Sequence, residues 1–169
     1  DDPVIYVVGV ASTPNIPSVQ GYVTRYTISP ALSAGMKLDS ASGYISGTPT
    51  IQSFSANYVV TASSFAGSTS YTINIGVVGA PSNLSYLDDV PTYQVGSAIT
   101  PPNTPNVQGI VTLYSATPAL PAGITLDQTT GYISGTPTTA TLSAAYTIKA
   151  QNPGGSVTTT VTITVVVVP

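Results

Sequence analysis

Apolar and polar residues alternate with a period of two along much of the chain, and no stretch carries helical periodicity. The clearest run lies near the C-terminal end. There Val161, Ile163 and Val165 fall on one side, and Thr158, Thr160, Thr162 and Thr164 on the other. That is the pattern of a half-buried strand with a polar, β-branched outer face. An equivalent run sets Tyr71, Ile73, Ile75 and Val77 against Thr72 and Asn74. The stretches ahead of them repeat the alternation through Tyr58, Val60 and Ala62, and through Tyr146, Ile148 and Ala150. Residues 63–68 and 151–156 hold Gly and turn formers, so each pair of runs predicts a hairpin. Shorter strands are predicted over 4–8, 22–28, 36–38 and 44–46, with counterparts in the second half. Short strands with turn signals about every 8–12 residues predict an all-β sandwich.

The strands belong to a repeat. Gln20-Gly21 recurs as Gln108-Gly109, Pro30-Ala31-Leu32 as Pro118-Ala119-Leu120, and Leu38-Asp39 as Leu126-Asp127. The eight residues from Gly43 to Thr50 recur unchanged from Gly131 to Thr138. The offset is constant at about 88 residues from Gln20 onward and slips by one before it, where Val8-Gly9 matches Val95-Gly96. A period of that length is a whole small domain. The boundary is expected at Gly79-Ala80-Pro81, giving one domain over residues 1–79 and a second over 80–169. Repeat 2 carries a plausible extra strand, Asn83-Leu84-Ser85-Tyr86-Leu87, ahead of Asp88-Asp89. Repeat 1 opens at its own Asp-Asp pair, so its first strand is missing or its sheet edge is filled from another chain.

The repeated motif has a structural explanation. Asp39 can bond backbone N–H groups two residues on, Gly43 can take positive φ to close the loop, and Gly47-Thr48-Pro49 ends the strand. Asp127, Gly131, Gly135 and Pro137 are expected to act alike in the second copy.

The run from Pro118 to Asp127, followed by Gly131 to Thr138, resembles the immunoglobulin-like repeats of large surface proteins and haemagglutinins, relatives of cadherin-like and dystroglycan-type domains. Repeat 1 departs from the pattern at Ser33 and Lys37. The resemblance covers nearly the whole chain, twice. It implies two tandem immunoglobulin-like Greek-key β-sandwiches, an extracellular setting and a spacer, adhesion or assembly role. It brings no catalytic residues.

Composition narrows the function classes. Charged residues make up 5% of the chain, against about 25% in an ordinary soluble protein. Three scattered cations, Arg25, Lys37 and Lys149, cannot neutralise a run of phosphates, which excludes nucleic acid. Cys and His are absent, which removes disulfides and the usual zinc ligands. The most apolar run, Val165 to Val168, is far too short to insert in a membrane. The chain begins Asp1-Asp2-Pro3 without a signal peptide and reads as a mature or excised piece of something longer.

Candidate chemistry is sparse, and neither a catalytic residue nor a cofactor is expected. Asp39 and Asp127 stand in different repeats, as turn formers. Asp88 and Asp89 are a weak Ca²⁺ candidate, because calcium takes six to eight oxygens and adjacent strand residues point to opposite faces. Lys37 and Lys149, candidates for an isopeptide bond, are not matched between repeats. Asn83-Leu84-Ser85 is an N-glycosylation sequon, and Thr13, Ser29, Thr48, Thr104, Thr117 and Thr136, each followed by Pro, are conceivable O-glycosylation sites. Tyr26, Tyr44 and Tyr58 recur as Tyr114, Tyr132 and Tyr146, which predicts core or rim packing rather than a carbohydrate platform. Val4, Ile5 and Val7 at one end and Val165, Val166, Val167 and Val168 at the other are candidate assembly edges. The chain is thus expected to be a non-catalytic structural segment of an extracellular or cell-surface adhesin, stalk or filament. Expected partners are copies of itself or flanking repeats, with a glycan or cell-surface protein as the alternative.

Overall fold

The computed structural model describes residues 3–168. It is all-β and divides into two compact units, Asp1–Gly79 and Ala80–Pro169.

In the first unit, β1 (Val4–Val7), β2 (Arg25–Ser29), β5 (Ser53–Ser64) and β6 (Gly67–Val78) form one sheet in the order β1-β6-β5-β2. Between β2 and β5 the chain leaves that sheet to form the hairpin of β3 (Met36–Leu38) and β4 (Ile45–Gly47), the crossover of a Greek key. The hairpin layer drops Ile45 onto Tyr58, Ile73, Ile75 and Val77, and with Tyr6 these buried side chains form the core cluster. The long hairpin β5–β6 closes through Phe65-Ala66, with Ser64 opposite Gly67.

The second unit repeats this plan. Its main sheet is β10 (Leu113–Thr117), β13 (Thr141–Asn152), β14 (Gly155–Val166) and β8 (Thr92–Gln94), in that order. Its short hairpin is β11 (Ile124–Leu126) with β12 (Ile133–Gly135). The alternation read along 158–165 is the one observed: Val161, Ile163 and Val165 are buried and the intervening threonines are not. Both long hairpins carry the same register shift, between Ser53 and Ala56 and between Thr141 and Ala144.

The outer face of the first hairpin replaces ions with neutral cross-strand pairs. Asn74 Nδ2 donates to Asn57 Oδ1 at 2.8 Å, and the hydroxyls of Thr61 and Ser70 meet at 2.9 Å. These residues sit directly opposite each other in the ladder.

Strand β7 (Ser82–Tyr86) is added in the second unit, where it pairs antiparallel with β9 (Pro105–Gln108). The counterpart of β9 in the first unit is residues 17–20, which form no strand. The bridges Asn15 to Ile45 and Asn103 to Ile133 are equivalent, so the constant offset reaches back to Asn15. The one-residue slip therefore falls between Gly9 and Asn15, earlier than the sequence comparison placed it.

Candidate interaction surface

The shared motif is a staple between the two layers. Asp39 Oδ1 accepts from the N–H groups of Ala41 and Ser42 at 2.9 and 2.8 Å, and the Gly43 N–H returns to the Asp39 carbonyl at 2.8 Å. Asp127 does the same with Thr129 and Thr130 at 2.8 and 2.7 Å, and with Gly131 at 2.8 Å. The bonds from Ser42, then that from Ala41, hold the Asp39 carboxyl below its ordinary range. Thr130 and then Thr129 do so for Asp127. In each turn Oδ1 is engaged by backbone N–H groups, which favour the charged carboxylate.

Gly47 and Gly135 take φ of 143° and 116°, and a Cβ on either would run into the carbonyl oxygen of Gly35 or Gly123. Pro49 and Pro137 do more than stop a strand. Both are fully buried, and their carbonyls accept the N–H of Gly9 at 2.8 Å and of Gly96 at 2.9 Å.

The most informative surface is found where the two units differ. In the second unit β7 lies over β14 and puts Leu84 and Tyr86 into the core with Ile133, Ile148 and Val161. The Tyr86 hydroxyl donates to the Gly131 carbonyl at 2.5 Å. Burial raises the pKa of that phenol well above its usual value. Register places Tyr86 opposite Pro105 and Ser85 opposite Asn106, and the Leu87 N–H reaches the Thr104 carbonyl at 3.0 Å. In the first unit the corresponding position is an open groove of about 390 Å³. Its walls include Ile16, Pro17, Ser18, Gly43, Val60 and Tyr71, the counterparts of Thr104, Pro105, Asn106, Gly131, Ile148 and Thr159. Val60 is half-buried where Ile148 is fully buried, and Tyr71 is 63% exposed.

Val4, Ile5 and Val7 lie on β1, the outer strand of its sheet, with Ile5 exposed. Val165 and Val166 correct the expectation of a free edge. Val165 pairs with Thr141 on β13 and with Tyr93 on β8, and Val166 pairs with Gln94 on β8, so neither lies on an unpaired strand. Val167 and Val168 follow the strand and are exposed. Asn83 is exposed at φ 55°, and its amide donates to Gln108 Oε1 at 2.8 Å, which leaves the sequon on the outer side of β7. Asp88 Oδ1 accepts from the Val90 N–H at 3.0 Å, and its backbone is clasped by the Asn103 side chain. The Asp89 carbonyl accepts from Thr162 at 2.7 Å. Among the described residues no group of three or more His, Cys, Asp or Glu is placed to hold a metal. Asp1, Asp2 and Pro169 lie outside the described residues.

Tyr26, Tyr58, Tyr114 and Tyr146 are core residues, whereas Tyr44 and Tyr132 are exposed at equivalent rim positions. The groove in the first unit is the surface that sequence reading did not assemble. Its signal was present in the match of residues 15–18 to 103–106 without a partner strand.

The family model described as "Putative Ig domain" matches residues 3–77 and again residues 81–166. No curated protein sequence matches the chain. Among solved structures, the N-terminal four Ig domains of Dscam1 isoform 8.4 align with a TM-score of 0.59 at 12% identity, over 98% of this chain and 43% of that one. The N-terminal eight Ig domains of Down Syndrome Cell Adhesion Molecule align at 0.57 and 15% identity, over 98% and 25% of the two chains. An I-band fragment of titin aligns at 0.54 and 14% identity, over 98% and 63%. The chain thus spans less than two thirds of each of these proteins, and at such identities the likeness is one of fold.

Proposed function

The chain belongs to that immunoglobulin-like family twice over, and from this premise we propose that it is a non-catalytic structural segment of an extracellular adhesin, stalk or filament. The observation that carries the reading is the duplication itself. The same sandwich is built twice in one chain, held by the same Asp-centred turns, and in each turn Oδ1 is engaged by backbone N–H groups. Added support comes from the outer face, where amides and hydroxyls pair across strands in place of ions. Such a surface repels its neighbours weakly and tolerates close lateral packing. The test is labelling of intact source cells with antibody raised against the purified chain. Surface labelling is expected; labelling that needs permeabilised cells overturns the extracellular assignment.

A second reading, a glycan-binding accessory module, is favoured by Tyr22. It is 82% exposed beside a shallow groove of about 250 Å³ that also takes in Gln20, Ser63 and Ser68. An aromatic face next to amide and hydroxyl groups suits a sugar ring. A glycan array decides it: hits lost in Tyr22→Ala support this module, and an array without hits removes it.

A further inference from the structure

We propose that the outer face of the short hairpin in each unit is a saccharide-binding surface, on which Tyr132 of the second unit and Tyr44 of the first are the stacking rings, and that its ligand is an uncharged glycan. This surface is distinct from the shallow groove beside Tyr22, and it adds a binding activity to the structural role.

Most of the octapeptide shared by residues 43–50 and 131–138 is spent on the fold. A Cβ on Gly43 would strike the Tyr26 ring, and one on Gly131 the Tyr114 ring. Ile45 and Ile133 are core residues, and Pro49 and Pro137 are fully buried. Thr50 and Thr138 send their N–H groups to the carbonyls of Ala34 and Ala122 at 2.9 and 3.0 Å. The tyrosine rings are the exception. Tyr44 is 39% exposed and Tyr132 43%, at equivalent positions, so the same large ring is held partly in water twice. Burial gives an aromatic ring most of its value to a fold, and a ligand that stacks on the open part recovers the remainder.

Backbone pairing sets what stands beside each ring. The Asp127 N–H donates to the Tyr132 carbonyl at 2.9 Å, and the Asp39 N–H to the Tyr44 carbonyl at 2.8 Å, so tyrosine and aspartate close each hairpin loop as a facing pair. Facing residues project from the same side of the ladder, here the side away from Ile133 and Ile45. The next pair on that side is Thr125 with Ser134, or Lys37 with Ser46. In the second unit the bridge between Asn103 and Ile133 brings Thr104 alongside Tyr132 on its other flank. The Tyr132 ring is thus bordered by a carboxylate and by the hydroxyls of Thr104, Thr125 and Ser134.

That combination selects the ligand. The ring offers a flat apolar surface to the C–H face of a pyranose. Hydroxyls donate and accept, and a charged carboxylate accepts at more sites than the two that the Thr129 and Thr130 N–H groups fill. Those N–H groups also keep Asp127 in its charged form, ready to receive sugar hydroxyls. A protein partner asks for a dry centre depleted of charge, which an aspartate facing the ring denies it. The charge that pairing places beside Tyr132 is negative, which favours an uncharged glycan over an acidic one.

The probes are hexasaccharides of glucose, mannose, galactose and N-acetylglucosamine, each titrated into the full chain and followed by backbone-amide and aromatic NMR. Expected with at least one of them are saturable shifts at Tyr132, Ser134 and Thr104, and at Tyr44 and Ser46. The double variant Tyr44→Ala, Tyr132→Ala should bind that sugar at least about tenfold more weakly. Tyr44→Phe with Tyr132→Phe keeps both rings and should bind within about threefold of the parent, which separates loss of stacking from loss of fold. Tyr22→Ala should bind like the parent. Absence of saturable shifts with all four sugars overturns the proposal. So does binding that persists in the double alanine variant, and its loss in Tyr22→Ala would assign it to the other groove. A tenfold loss in the phenylalanine pair overturns stacking as its basis. None of these outcomes alters the cell-surface labelling, and failure of the labelling leaves sugar binding intact.

Discussion

Tyr86 and Gly131 are joined by a buried hydrogen bond from the phenol to a backbone carbonyl, 45 residues apart in sequence. It pins the added strand β7 to the turn that ends the Asp127 motif, so the strand and the staple hold one another. Gly131 serves both: its N–H closes the turn on Asp127, and its carbonyl receives the tyrosine.

Tyr86→Phe keeps the ring and leaves the Gly131 carbonyl without that donor. The second unit should lose about 1–2 kcal/mol. Leu84→Ala, which empties a buried position on the same strand, should cost about 2–5 kcal/mol. Urea unfolding read at resonances of Ile148 for the second unit and Ile75 for the first should show the loss in the second unit alone.

The same chemical change should have the opposite outcome at Tyr6. Its hydroxyl is buried without a hydrogen-bond partner, and burial raises its pKa. Tyr6→Phe removes a desolvated polar group and no bond, so the first unit should gain up to about 1 kcal/mol. A lower urea midpoint in this variant would contradict it.

The Asp39 and Asp127 carboxyls have folded pKa values below their unfolded ones, held down first by the N–H groups of Ser42 and Thr130. A depressed carboxyl contributes stability in full above its unfolded pKa, and loses it as pH falls through the folded one. The double variant Asp39→Asn, Asp127→Asn should therefore melt lower than the parent at pH 7. The two curves should converge as pH drops below about 4. A gap that stays constant down to pH 2 would show that charge is not what these turns use.

Gly47 and Gly67 have nearly the same positive φ, 143° and 140°, and differ in surroundings. A Cβ at Gly47 strikes the Gly35 carbonyl, whereas one at Gly67 meets nothing within 4 Å. Gly67→Ala should cost about 1 kcal/mol, the backbone strain alone. Gly47→Ala adds a clash between two backbones and should cost about 3 kcal/mol or more. Thermal melts of the two variants make the comparison, and equal losses would contradict it.

The repeat, the long hairpins and the turn motif were legible because each is written in local chemistry. Alternating side chains mark 158–165, and Asp followed by Gly four residues on marks both turns. The extra strand ahead of Asp88 was legible too, but the parallel partner of the closing strand was not. Val165 and Val166 look like an apolar tail in sequence, yet β8 arrives from 72 residues earlier to flank them, as Thr164 opposite Thr92 shows. A parallel partner leaves no turn signature. Tyr44 and Tyr132 recur in the same frame as buried tyrosines but lie one residue outside β4 and β12, on the side that faces solvent. Whether Val60 is covered depends on a strand over that position, which is described in the second unit only, and no property of Val60 itself reports it.

In the first unit β1 runs parallel to β6, Val4 beside Ile75 through Val7 beside Val78. Tension applied at Val4 and at Val78 pulls those two strands in opposite directions along a common axis. The ladder between them is then loaded in shear, with its bonds sharing the force instead of parting one at a time. A segment built this way resists stretching through its kinetics of rupture, whatever its equilibrium stability.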